Sequence, residues 1–351
     1  MAAAPTFDLR KHLLAGQVIP ALPLALDSRR RWSERHQRAL VRYYLAAGAG
    51  GIAVGVHSTQ FEIREPKHAL YEPVLTLAAE TVRAEASTSS KTPLLVAGVC
   101  GRTRQALGEA RFAREAGYHA GLLSLGAWSD QPERAILRHC RQVAKEIPLI
   151  GFYLQVAVGG RAFSYRFWRE FAEIPELVAI KIAPFNRYRT IDVVRAIAAS
   201  GRKDVALYTG NDDNIIADLL TDFRLEGTNV RIVGGLLGQW AVWTERAVRL
   251  HADIQKARRV RTGLSHDWLA KNAQLTDANA AVFDVANSFA GCIAGINEVL
   301  RRQGLLSSAA CLNPKERLSP GQADEITRVA RAYPWLVDDA FVARHRDKWL
   351  Q

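Results

Sequence analysis

Leu177-Val178-Ala179-Ile180-Lys181-Ile182-Ala183 is an apolar stretch interrupted by a single lysine. A strand covered on both faces reads as a continuous apolar run of this kind, whereas a strand with one wet face alternates. Val178 to Ala183 is the sixth of eight such runs, the others being Gln17 to Leu24, Gly51 to Val56, Leu94 to Cys100, Gly121 to Leu125, Leu149 to Tyr153, Val205 to Thr209 and Val230 to Leu236. Between them lie amphipathic stretches, among them Ser33 to Ala47, Thr103 to Ala116, Pro132 to Ile147 and Thr190 to Ala199. Several open on a capping Ser, Thr or Asp and close on a glycine such as Gly48, Gly117 or Gly201.

A regular strand–helix alternation of eight units predicts an α/β fold, a TIM (β/α)8 barrel over residues 1–260. The competing open sheet usually announces itself by a glycine-rich phosphate turn after its first strand, and Ala21 to Ser28 holds no glycine. After about Arg261 the strand pattern stops. Trp268 to Arg302 reads as one or two helices, two prolines interrupt Leu312 to Pro320, and Gln322 to Tyr333 is helical again. Residues 261–351 are therefore expected to form a C-terminal helical region packed on the barrel.

Within a barrel, the side chains that interrupt the C-terminal ends of the strands face the site. Lys181 is one such interruption. Burial disfavours an ammonium and prepares an amine nucleophile for attack on a carbonyl; a lysine snorkelling to solvent is the alternative. Tyr153 ends the fifth run, where a phenol either shuttles protons or simply packs. The second run leads into His57-Ser58-Thr59, a group suited to holding a carboxylate or forming an ordinary polar loop. Gly210-Asn211-Asp212-Asp213 after the seventh run offers amides to a polar substrate, or a turn and helix cap. Gly234, with Gly235 and Gly238, marks the eighth run's usual phosphate neighbourhood.

Composition narrows the function classes. The chain has 351 residues and a net charge of +12, yet only 10 of its 47 basic residues are lysines. This arginine bias weakens the case for nucleic acid, because the basic clusters (Arg29 to Arg31; Lys256, Arg258, Arg259 and Arg261) lack interleaved aromatics. The four cysteines are scattered without metal-ligand or disulfide spacing, and no second histidine accompanies His57, so neither a metal nor another cofactor is expected. Asp8 and Arg10 interrupt what would be a signal peptide's apolar core, and no run reaches membrane-spanning length. The expected setting is the cytoplasm, with no membrane partner.

Tyr153 and Lys181, 28 residues apart on neighbouring strands, give the chain its specific likeness. It resembles the dihydrodipicolinate synthase and N-acetylneuraminate lyase family of class I aldolases and dehydratases. That family has a tyrosine ending strand five, a Gly-Ile-Lys-Glu-like or Gly-Ile-Lys-Asp-like motif in strand six, and small polar loops after strands two and seven. The resemblance implies a Schiff-base lyase with Lys181 as nucleophile and Tyr153 as proton carrier. His57, Ser58, Thr59, Gly210, Asn211 and Gly234 would hold a 2-oxo acid such as pyruvate or a keto-deoxy sugar acid. It also implies a homo-oligomer, tetramer or dimer. Departures concern the substrate: Val56 and His57 stand where the family pairs threonines, Val158 stands where the synthases place an arginine, and Ala127-Trp128 replaces their aromatic pair. These changes argue against the lysine-biosynthetic condensation, and leave as an alternative a barrel that binds a small acid without turnover.

Overall fold

The apolar runs become strands of one parallel sheet in the computed structural model, which describes residues 7–86, 92–260 and 263–351. The barrel strands are β1 (Val18–Pro20), β2 (Gly51–Val54), β3 (Leu94–Val99), β4 (Ala120–Leu123), β5 (Leu149–Leu154), β6 (Leu177–Ala183), β7 (Ala206–Thr209) and, after a hairpin of β8 (Phe223–Leu225) and β9 (Thr228–Val230), β10 (Ile232–Leu237). Their order is β1-β10-β7-β6-β5-β4-β3-β2. The circle closes where Ala21 bridges Ala53 in parallel and the Leu22 amide donates to the Ala53 carbonyl at 2.8 Å. The chain thus folds as a TIM barrel with helices outside it and a C-terminal helical region.

Two expected boundaries move. The first run yields only three residues of regular strand, with Ala21 and Leu22 continuing it as the single bridge and hydrogen bond to Ala53. The last run was expected to begin at Val230, which instead belongs to the hairpin. Glu226 and Gly227, both at positive φ (51° and 69°), make the tight turn whose twist suits two antiparallel strands. Arg261 and residues 1–6 lie outside the described residues.

Alternation along each strand divides the apolar residues into two cores. Ile150, Phe152, Ala179, Ala206 and Tyr208 fill the barrel interior, while Tyr153, Ile180, Ile182 and Leu207 face the helices. At the N-terminal end, the short helix Leu9–Leu14 seals the interior: Leu13 is fully buried there and its carbonyl accepts from the Tyr208 hydroxyl at 2.8 Å. The C-terminal region contributes helices Asp267–Val282, Cys292–Arg302, Gln322–Ala332 and Asp339–Trp349. Buried Asp338 pins the last of these to the barrel, accepting from the Tyr43 hydroxyl (2.7 Å), the Glu245 amide (3.1 Å) and Gln303 Nε2 (2.8 Å). Among the described residues no helix is long and apolar enough to cross a membrane.

Candidate active site

At the C-terminal end of the barrel a cavity of ≈ 70 Å³ opens between the strand ends and the C-terminal helices. Its floor is set by pairing: β5 and β6 align Phe152 with Lys181, so both side chains point inward. Lys181 Nζ lies 4.4 Å from the centre of the Phe152 ring. The lysine is 9% exposed, and among the described residues its amine has neither hydrogen bond nor ion pair. Burial lowers its pKa, and the Asp212 carboxylate across the cavity pulls in the opposite direction. Asp212 is itself pushed up by burial and held down by Lys181. Burial thus works against the charge on each group, while each charge supports the other.

Gly210 brings these groups together. Its amide donates to the Ile182 carbonyl at 2.7 Å, and a Cβ there would stand 2.7 Å from Lys181 Cε and 2.8 Å from Ala183 Cβ. A side chain at 210 would occupy the lysine's own space. The following Asn211 braces the loop: its Nδ2 donates to Asp218 Oδ2 (2.9 Å) and Thr190 Oγ1 (3.2 Å), and its Oδ1 accepts from the Phe185 amide (3.1 Å). Asp218 in turn takes the Thr209 hydroxyl at 2.6 Å and pairs with Arg187 at 2.7 Å. The loop is consequently rigid, with the Asp212 side chain delivered into the cavity.

The loop after β2 is tied down by its hydroxyls. Thr59 Oγ1 donates to the Leu22 carbonyl (2.6 Å) and accepts from the amides of Gly55 (3.0 Å) and Val56 (3.2 Å). Ser58 Oγ lines the cavity and donates to the Ala21 carbonyl at 2.9 Å. His57 also lines the cavity; burial first, then the Lys181 charge, lowers its pKa to about 4, so the imidazole is neutral.

Four of the eight expected site residues, Lys181, His57, Ser58 and Gly210, thus border one cavity, and four do not. The expected pairing of Tyr153 with Lys181 is not formed. Tyr153 is one residue out of phase with Phe152, so it faces the helix layer, fully buried against Phe163 and Trp168, and its oxygen accepts from the Phe163 amide at 3.2 Å. Burial also raises its pKa, opposing proton release. Thr59 and Asn211 spend their polar groups on the backbone and the loop. Gly234 lies too far down β10, packed on the β1 edge, where a Cβ would meet the Gln17 carbonyl oxygen at 2.5 Å; Gly238 borders the cavity instead. The expected list omitted Asp212, two positions beyond Gly210, and Phe152, whose parity with Lys181 needed the strand register. Phe283, Phe289, Cys292 and Ile296 form a roof from the C-terminal region. Among the described residues no cluster of His, Cys, Asp or Glu has the arrangement of a metal site.

No family model matches the sequence. Curated relatives do. A 4-hydroxy-tetrahydrodipicolinate synthase from Aromatoleum aromaticum is 29% identical over 190 residues, covering 52% of this chain and 59% of that protein. One from Azoarcus is 26% identical over 233 residues, covering 65% and 73%. The chain thus spans under two thirds of the length of the first of these relatives. Among solved structures, dihydrodipicolinate synthase from Agrobacterium tumefaciens superposes with a TM-score of 0.69 at 17% identity, over 93% of this chain and 99% of that one. N-acetylneuraminate lyase from Fusobacterium nucleatum does so at 0.70 and 14%, over 91% and 99%. These structural likenesses carry the fold alone, while the low but recurrent sequence identity is to synthases of one name: the chain is similar to, and divergent in sequence from, the dihydrodipicolinate synthase and N-acetylneuraminate lyase family.

Proposed function

We propose that the protein is a Schiff-base-forming lyase of the aldolase or dehydratase type acting on a 2-oxo acid, with Lys181 as nucleophile. The observation that carries this reading is a buried lysine of lowered pKa that lines the cavity without a hydrogen bond or ion pair among the described residues. The cavity's ≈ 70 Å³ holds roughly five water-sized groups, the size of a three-carbon acid. A solved relative in fold, a prophage protein of the dihydrodipicolinic acid synthase family from E. coli, is in complex with pyruvate (TM-score 0.73, 14% identity).

In this reading the neutral amine adds to the carbonyl carbon, the carbinolamine loses water, and the resulting iminium accepts the electron pair of the bond that breaks. Proton transfers need a group in the cavity, and with Tyr153 on the outer face that role falls to Asp212, whose raised pKa suits it to giving and taking protons near neutral pH. His57, neutral and without a hydrogen-bond partner among the described residues, is the available donor toward the substrate's oxygen atoms. We take the working form to be a cytoplasmic dimer or tetramer without metal or cofactor, to be checked by sedimentation.

Borohydride reduction in the presence of pyruvate and other 2-oxo acids, followed by peptide mapping, tests the assignment. The expected product is a secondary amine on Lys181, heavier by the acid less one oxygen atom. Full turnover by Lys181→Ala would overturn the mechanism. That no tyrosine lines the cavity among the described residues, the hydroxyl of Tyr208 beside Lys181 being spent on the Leu13 carbonyl, favours one second reading, a barrel that binds a small acid without turnover; it predicts that Lys181→Met binds the same acids as the parent chain.

A further inference from the structure

Beyond the floor, the cavity changes character. Its half-buried lining has a polar side, His57 and Asp212, and a largely apolar side made by Leu154 at the end of β5, Gln155 and Val158 after it, Phe185 after β6, and Phe289 and Cys292 from the C-terminal region. On the apolar side the polar exception is Gln155. Among the described residues no arginine borders the cavity, and Lys181 is its one lysine. A polyhydroxylated chain would have to give up its water against phenylalanine, leucine and valine without replacement hydrogen bonds, a penalty for each hydroxyl left unpaired.

The two phenylalanines are set in place at a cost. Phe185 and Phe289 both adopt left-handed backbone conformations, at φ 48° and 68°, where a bulky side chain is strained. Such conformations persist only where the surroundings enforce them. The Phe185 amide is held by Asn211 Oδ1, and the Phe289 amide donates to the Asp284 carbonyl at 3.0 Å. The Asp284 carboxylate is in turn fixed by the Ser319 hydroxyl (2.5 Å), the Gly291 amide (2.9 Å) and Asn287 Nδ2 (2.7 Å). The result is a pair of rings at the mouth, 6.0 Å apart and edge to face.

Resting on the Schiff-base reading, we propose that the substrate carries an apolar group, alkyl or aryl, beyond its reacting carbonyl, packed on the edge-to-face pair of Phe185 and Phe289 and on the Val158 wall. Chains of the sugar-acid type are disfavoured at the same position.

The test compares two 2-oxo acids that share the reacting end and differ in the rest, 4-phenyl-2-oxobutanoate and 2-keto-3-deoxygluconate, with pyruvate as reference. Each is titrated into the full chain with borohydride, and the Lys181 adduct is quantified by peptide mass. The expected result is half-maximal trapping of the phenyl acid at a concentration at least tenfold below that of the sugar acid, with Phe289→Ser narrowing the ratio. Equal or reversed trapping, or trapping of pyruvate alone, overturns the proposal while leaving the Schiff-base assignment standing. No Lys181 adduct with any acid, pyruvate included, overturns the Schiff-base assignment, and this proposal with it.

Discussion

The loops after β2 and β7 meet at the same cavity and are written in the same vocabulary of small polar residues, yet they do opposite things with it. In the first, Thr59 and Ser58 donate their hydroxyls to the carbonyls of Leu22 and Ala21, so the polarity in the sequence is consumed in joining β2 to the exit of β1. In the second, Thr209, Asn211 and Asp218 form a closed set of hydrogen bonds that leaves the next carboxylate, Asp212, facing Lys181. What separates scaffold from site is whether a polar group still has bonding capacity directed at the cavity once the backbone has been satisfied.

The largest effect is expected at Lys181. Lys181→Met keeps the stem's volume and removes the amine, so borohydride trapping should fall to zero while the far-ultraviolet circular dichroism is retained; a persistent adduct elsewhere would place the chemistry on another lysine. Asp212→Asn comes next. If Asp212 moves the protons, turnover should fall by about 10² to 10⁴, the usual contribution of a positioned acid–base group. The variant also carries a signed pH effect. The Asp212 charge raises the Lys181 pKa against the larger lowering by burial, so removing it lets that pKa fall further. Adduct formation, which needs the neutral amine, should then reach half its maximum at a lower pH than in the parent chain. An unchanged midpoint would mean that the two groups do not sense each other.

The fold was legible because burial on two faces leaves a mark in composition. The Leu177 to Ala183 run and its counterparts could only be strands between helices, and the lysine among them stood out for the same reason. Orientation was harder. Phe152 and Tyr153 are adjacent aromatics at one strand end, and the shift of a single residue decides which of them shares the interior with Lys181. The structure marks the parity at Gly151, where a Cβ would press on Phe171 at 2.6 Å, so the odd positions of β5 face the helices. The roof was out of reach of the sequence, since nothing in the spacing of Phe283, Phe289 and Cys292 says that a segment about 100 residues beyond Lys181 returns to the barrel mouth.

Two smaller effects sharpen the contrast between scaffold and site. Thr59→Val orphans the buried amides of Gly55 and Val56 and frees the Leu22 carbonyl. Each buried group left unpaired costs about 1–3 kcal/mol, so denaturant unfolding should shift clearly toward lower concentration. Affinity for a 2-oxo acid should drop only as far as the loop loosens.

Tyr153→Phe is the mildest change and the most discriminating. It removes an oxygen that accepts one hydrogen bond, from the Phe163 amide, within an aromatic cluster that otherwise stays filled. Unfolding should therefore report a loss of about 1 kcal/mol, the net worth of a typical internal hydrogen bond. Turnover and its pH profile should match the parent, because the lost hydroxyl lies on the helix side of β5 and the reacting groups on the other. A proton carrier at the same position would instead lose a factor of 10² or more in turnover with its stability barely altered. The two outcomes differ in kind, so one conservative substitution decides whether this barrel moved its acid–base group from strand five to the loop after strand seven.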